Sequence, residues 1–222
     1  MQTTNQWDTS FINGENSIFY PHNELIRFLN RFIKKQVALK QFMPIYAPPP
    51  ANNPLKALDF GCGNGRQTLL LSEFEIQAYG IDISQTAINQ AKALAKNLNL
   101  SANFLISNHT TLPFEDNFFD FSISCGVLNC MSFEMAIHFL NEIARVSQKY
   151  CFLTLLGKSD STLSYTMQDQ SIFKPIVFHS TQENITEMLK QTPFTLKWGE
   201  KSIHSHLLNH LESSYFTLVL EK

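Results

Sequence analysis

No stretch of the chain is long and apolar enough to cross a bilayer, since runs such as Cys151 to Leu156 fall far short of a membrane span. The opening MQTTNQWDTS lacks the basic-then-apolar order of a secretory leader, so a cytoplasmic protein with no membrane partner is expected. Cys62, Cys125, Cys130 and Cys151 make neither a CxxC pair nor a dense framework, which points to four reduced thiols. The Asn-x-Thr triplets at Asn108 and Asn184 then carry no meaning as glycosylation sites. A Lys/Arg run is also missing, Lys34-Lys35 being the nearest approach. Seventeen basic against nineteen acidic residues leave a net charge of −2, which argues against a nucleic-acid partner. A hydrophobic share of 44% supports a full core, and 222 residues suit one α/β domain with small additions.

Met1 to Phe42 reads as an N-terminal extension. It opens on an irregular aromatic stretch (Trp7, Phe11, Phe19, Tyr20), and a helix is expected from about Asn23 on the spacing of Leu25, Ile26, Leu29, Ile33 and Val37. Pro44 to Pro54 holds five prolines and cannot continue that helix, so it becomes a stiff connector. The extension and connector (1–54) would precede a main domain over 55–222. Strands are expected at Lys56–Phe60, Ala78–Ile83, Phe104–Ser107, Phe119–Cys125 and Tyr150–Leu156. Helices are expected at Gly65–Phe74, after an N-cap at Ser84 through Leu98, and at Phe133–Val146. This alternation predicts parallel crossovers and a doubly wound sheet. Lys158 to Ser180 is polar and irregular and would act as a cap. A short helix follows at Gln182–Gln191, and Phe194–Trp198 with Tyr215–Leu220 would form a hairpin at the sheet edge.

The strongest motif is ALDFGCGNGR, Ala57 to Arg66. A buried strand ends in Gly61-x-Gly63-x-Gly65 and a helix begins at once, a place where the backbone can approach a ligand closely. Arg66 stands where the dinucleotide fingerprint GxGxxG needs its third glycine, so that ligand is disfavoured. Asp82 ends the next strand, where a carboxylate can accept both hydroxyls of a ribose. It would also suit the N-terminus of the helix that follows. Arg66, in a first helical turn, is badly placed for the helix dipole, which suggests an anionic partner. The third element is Asn108-His109-Thr110-Thr111-Leu112-Pro113-Phe114, a loop leading into Phe119-Asp120.

Together these motifs resemble the class I S-adenosylmethionine (SAM)-dependent methyltransferases, particularly their small-molecule members, in order from about Leu55 to Gly157. The resemblance implies a Rossmann-like, mostly parallel seven-stranded sheet whose last strand inserts antiparallel. It implies SAM as cofactor and S-adenosylhomocysteine as product. Asp59, Gly61, Cys62 and Gly63 would border the methionine part, and Cys125 would sit beside it. Asp82 would hold the ribose and Ile83 would pack on adenine. Asn108 and His109 would face the adenine edge, with Asn108 replacing the family's usual Asp and adding a competing donor.

Several further assignments follow as expectations. Tyr20 and Arg27 would reach the cofactor from the N-terminal lid, with Arg66 on its carboxylate. His22 or His179 would serve as general base if the acceptor atom is oxygen. The acceptor would be a small polar metabolite, and a faint likeness of the first thirty or so residues to surface-polysaccharide methyltransferases suggests a sugar. No NPPY-type tetrapeptide follows the fourth strand, which reads Ser124-Cys125-Gly126-Val127. RNA or protein methylation and a non-catalytic SAM-binding scaffold are the competing readings, for a monomer or a homodimer. His204, His206 and His210 hint at a metal, but no acidic or cysteine ligand accompanies them, so none is assigned.

Overall fold

The computed structural model describes residues 4–16, 18–48, 54–107, 109–158, 177–205, 207 and 212–222. Five parallel strands make the centre: β3 (Lys56–Phe60), β4 (Gln77–Asp82), β5 (Asn103–Ile106), β6 (Phe119–Cys125) and β7 (Ser147–Gly157). β9 (Glu212–Glu221) inserts antiparallel between β7 and the edge strand β8 (Thr195–Ser205), giving the order β5-β4-β3-β6-β7-β9-β8. The expected seven-stranded mixed sheet is therefore present. β3 and β6 are buried along nearly their whole length, as strands covered on both faces must be. Chain direction across the sheet reverses at β3, so a crevice opens beyond the carboxyl ends of β3 and β6.

One face carries α2 (Asn23–Phe28), α3 (Arg66–Glu73) and α4 (Gln85–Leu98); the other carries α5 (Phe133–Val146) and α6 (Gln182–Lys190). Ser84 caps α4 as expected, its hydroxyl accepting from the Ala87 N–H at 3.1 Å. Ala87, Ile88, Ala91 and Ala95 are buried, whereas Leu98 lies in the fraying last turn and is exposed. Among the described residues no helix lies between β5 and β6. Its place is taken by an aromatic cluster in which Tyr79 meets Phe114, Phe118 and Phe119 at centroid distances of 5.4–6.1 Å. Arg145 of α5 pins that loop, donating to Glu142, Asp116 and the carbonyls of Leu112 and Phe114 at 2.8–3.0 Å.

The N-terminal residues differ from the sequence expectation in two ways. Thr4–Ile12 is a helix, α1, where an irregular stretch was expected. The second helix does not reach Val37. α2 loosens into a π turn at Leu29–Ile33, and the chain reverses through β1 (Lys34–Ala38) and β2 (Gln41–Pro44). This hairpin lets Phe42 pack on Phe74, the C-cap of α3, at 5.3 Å, and Val37 is left in solvent.

Leu25, Phe28, Leu29 and Ile33 are 0–3% exposed and belong to the same apolar cluster as Phe121, Ile123 and Phe152 of the sheet. Residues 23–33 thus supply part of the core, although the sequence placed them in an extension before it. Phe28 stacks on Phe152 at 5.1 Å and meets Phe121 edge-on at 5.8 Å. Phe28→Ala should therefore destabilise the whole domain by about 3–5 kcal/mol and lower its melting temperature by roughly 6–20 °C. Denaturant and thermal unfolding check this, and a loss under 1 kcal/mol would show that α2 is peripheral.

Candidate functional site

The glycine loop is held open by contacts that only glycine permits. Gly61 has φ 73°, and a Cβ there would fall 2.4 Å from a Val127 methyl. Gly65 has φ 85°, and a Cβ would meet Ala91 at 2.8 Å, so α3 could not approach α4. The N–H groups of Gly61 and Cys62 donate to the Ile81 carbonyl at 2.8 and 3.0 Å, which anchors the loop on the end of β4.

Asp82 follows directly. One carboxylate oxygen accepts from the Gly63 N–H at 2.8 Å and the other from the Ser84 N–H at 2.9 Å. Burial raises its pKa and those backbone donors oppose the rise. Each oxygen keeps a further lone pair, and the side chain lines the cavity.

Asp59, 1% exposed, accepts from the Thr68 hydroxyl at 2.6 Å. Burial pushes its pKa up to about 7, with the Thr68 hydrogen bond opposing and the Asp82 charge adding to the rise. A carboxyl raised in this way holds its proton more tightly in the folded chain. Its contribution to stability is thus lost as pH rises from the unpaired value of 3.8 to about 7. Burial also pushes up the thiols of Cys62 and Cys125, so neither is a nucleophile near neutral pH.

These groups line a cavity of about 770 Å³ at the carboxyl ends of the strands, near the upper end of the roughly 300–1,000 Å³ usual for ligand sites. Asp59, Gly61, Cys62, Gly63, Arg66, Asp82, Ile83, His109 and Cys125 all border it, as does His22. Asn108 lies outside the described residues, as do the cap residues 159–176 and His206 and His210. Among the described residues there is no cluster of His, Cys, Asp or Glu that could hold a metal.

Three expected residues are not brought to the cavity. The side chain of Tyr20 is exposed, and it is the Tyr20 carbonyl that takes a hydrogen bond from Arg66 at 2.8 Å. Arg27 pairs with Glu200 at 3.2 Å and lies over the Trp198 ring on the outer side of α2. His179 is exposed, with its carbonyl accepting from Asn184.

His22 is present but occupied. A guanidinium only donates, so the 3.1 Å contact with Arg66 makes Nε2 the acceptor and leaves the proton on Nδ1. Burial and the Arg66 charge both lower its pKa. The ring is neutral near pH 7, and the lone pair that a base would use is already engaged.

The segment around α1 closes the site from above. Asp8 accepts from the Ser84 hydroxyl at 2.6 Å and the Thr86 N–H at 3.0 Å, which fastens α1 to the N-terminus of α4. An anion is favourable there. Gln90 holds the Phe11 carbonyl at 3.1 Å, and Asn64 holds that of Ile18 at 3.2 Å. Trp7 and Phe11 turn into the cavity, while Phe19 and Tyr20 face solvent. Sequence reasoning gave Asp8 and Gln67 no role at the site, because their roles depend on partners dozens of residues away. The cavity-facing residues of the β8–β9 hairpin were hidden likewise, alternation alone not saying which face meets the site.

Comparison with known proteins agrees with this geometry. Residues 58–153 match the family described as Methyltransferase domain. A protein of Geobacillus sp. (strain WCH70) bearing a methyltransferase name is 27% identical over 145 residues, 64% of this chain and 55% of that one. The tRNA (carboxymethyluridine(34)-5-O)-methyltransferase of Saccharomyces cerevisiae is 28% identical over 142 residues, 61% of this chain and 48% of its own length. The chain thus spans about half the length of these curated relatives. Among solved structures, a SAM-dependent methyltransferase from Methanosarcina mazei superposes with a TM-score of 0.64 at 21% identity, over 80% of this chain and 99% of that one. Sheet order, glycine loop and sequence match converge: residues 58–153 match a methyltransferase domain, and the fold is the Rossmann-like one of solved SAM-dependent methyltransferases.

Proposed function

We propose that the chain binds SAM in the cavity above β3 and β4 and transfers its methyl group to an oxygen or nitrogen of a small polar metabolite, such as a sugar or a surface-polysaccharide precursor. The observation that carries this reading is Asp82. It is held at the end of β4 by two backbone donors, with acceptor capacity left toward the cavity. Ile83 offers an apolar surface beside it for adenine, and Ser107 and His109 border the same region. Asp59 and Arg66, of opposite charge, suit the ammonium and carboxylate of an amino acid. Arg66 keeps donor positions beyond its contacts with Tyr20 and His22.

SAM, held by Asp82, Asp59 and Arg66, would supply a methyl carbon on a cationic sulfur, and the acceptor would give up its proton to solvent as it took the methyl group. The chain's own task is alignment and exclusion of water, to which Trp7 and Phe11 contribute from the α1 side. The name of the yeast relative favours a second reading, an RNA acceptor. Transfer assays with labelled SAM on metabolite pools and on total tRNA separate the two.

Asp82→Ala removes a charged acceptor for ribose hydroxyls, a loss of about 1.5–3 kcal/mol, so the dissociation constant for S-adenosylhomocysteine should rise roughly tenfold or more. Calorimetry on the folded variant checks this, and an unchanged constant would remove Asp82 from the site. Because ionised Asp59 favours a cationic ligand, affinity for SAM should climb as pH passes upward through about 7 and level off above it. Asp59→Asn should flatten that profile; an equally steep profile in the variant assigns the proton elsewhere. Asp8→Ala frees α1 from α4, so chymotrypsin should cut at Trp7 and Phe11 faster than in the parent. Saturating S-adenosylhomocysteine should slow that cut in the parent, and digestion that ignores both variant and ligand would end the lid reading.

A further inference from the structure

One face of the sheet changes character along the strands. Register partners share a face and alternate residues return to it, so rows can be followed from strand to strand. The first row is Ile123, Phe152, Val219 and Trp198. It is apolar and packs in the cluster that contains α2. Two residues nearer the cavity, the next row is Cys125, Thr154, Thr217 and Glu200, and beyond it come Leu156, Tyr215 and Ser202. With strands about 4.8 Å apart, the second row runs about 14 Å from Cys125 to Glu200. The face turns polar past the row that α2 packs on, and all but Glu200 of these seven residues line the cavity.

Thr154 and Thr217 are 8% and 4% exposed, yet neither caps a helix. Among the described residues the Thr217 hydroxyl has no hydrogen-bond partner, and Thr217 lines the cavity. Gln67 of α3 borders the same space and is 3% exposed. Its Oε1 accepts from the His22 N–H at 3.2 Å, while its Nε2 has no partner. A buried amide donor left unpaired is costly, and an oxygen on a ligand would satisfy it. Val127 and Met131, from the turn after β6, add apolar wall to the same cavity. The space therefore suits a molecule with hydroxyl edges and an apolar ring face.

We propose that the hydroxyl-bearing stretch of β7, β9 and β8, with the free amide donor of Gln67, is the methyl-acceptor site, and that it takes an uncharged polyhydroxylated ring, a sugar or cyclitol. Thr154 and Thr217 hold hydroxyls next to the acceptor atom, Gln67 donates to a ring substituent, and Tyr215 borders the outer end. Cys125, one strand from Thr154, marks the side from which the methyl group arrives. This inference rests on the SAM reading above.

The test uses Thr217→Val, which keeps the side-chain shape and removes the hydroxyl, and Thr217→Ser, which keeps the hydroxyl. Transfer from radiolabelled SAM is measured on three probe sets: methyl glycosides with myo-inositol, the corresponding sugar phosphates, and total tRNA. S-adenosylhomocysteine affinity is measured in parallel. The expected result is transfer to the uncharged ring probes, with KM raised roughly three- to tenfold by Thr217→Val and restored by Thr217→Ser, at unchanged S-adenosylhomocysteine affinity. Three results would overturn the proposal while leaving the cofactor reading in place: transfer confined to phosphates or tRNA, transfer indifferent to Thr217→Val, or no transfer to any probe by protein that binds S-adenosylhomocysteine. Failure of the parent chain to bind S-adenosylhomocysteine would overturn both.

Discussion

The two short hydrogen bonds to the Asp82 carboxylate set the geometry on which the site depends. One fixes the glycine loop through Gly63, and the other fixes the start of α4 through Ser84, so a single buried acid joins two crossover connections at the sheet's switch point. Burial raises the cost of its charge, and the backbone donors lower that cost. The arrangement resists rearrangement because moving the carboxylate would strand two N–H groups at once. A ligand that offers hydroxyl donors meets an acceptor already aimed at it.

A second acid extends this arrangement outward. Asp8 reaches the same helix terminus from α1, taking the Ser84 hydroxyl and the Thr86 N–H. The roof of the cavity is thus tied to the floor through the first turn of α4. Ser84 serves both, accepting from Ala87 as a helix cap and donating to Asp8. Arg66 ties the roof a second time through the Tyr20 carbonyl and His22. The segment around α1, the glycine loop and Asp82 therefore form one connected hydrogen-bonded unit. Disturbing α1 should be felt at Asp82 even though α1 adds little to the main core.

The core itself is divided by function. Under α2 the sheet presents Phe121, Ile123, Phe152 and Val219, packed against Phe28 and its neighbours, and this part resists opening. Toward the strand ends the same face presents hydroxyls and borders the cavity. The helix that covers one part leaves the other free, so the position of α2 decides where protein interior ends and ligand space begins. The aromatic cluster around Tyr79 and the Arg145 clamp fill the space beside the β5–β6 connection. They hold the loop that leads from His109 to Leu112.

The sequence by itself determined the sheet, the helices that flank it and the glycine-loop end of the cavity, because those signals are local. A buried strand run, a glycine turn, an acid at the next strand end and a serine cap each act within a few residues of chain. β3, β6 and α5 lie where pattern and caps place them. Only the tertiary structure decided what depends on distant partners. The helical spacing through Val37 was overridden by the packing of Phe42 on Phe74, and Arg27 was drawn to Glu200 on a strand more than 170 positions away. His22 was turned from a free base into an acceptor for Arg66. Thr217, with a hydroxyl unremarkable in sequence, came to face the cavity because register and sheet order set it beside Thr154. Periodicity reports which residues share a face, but only the packing of helices on the sheet selects which end of that face stays open.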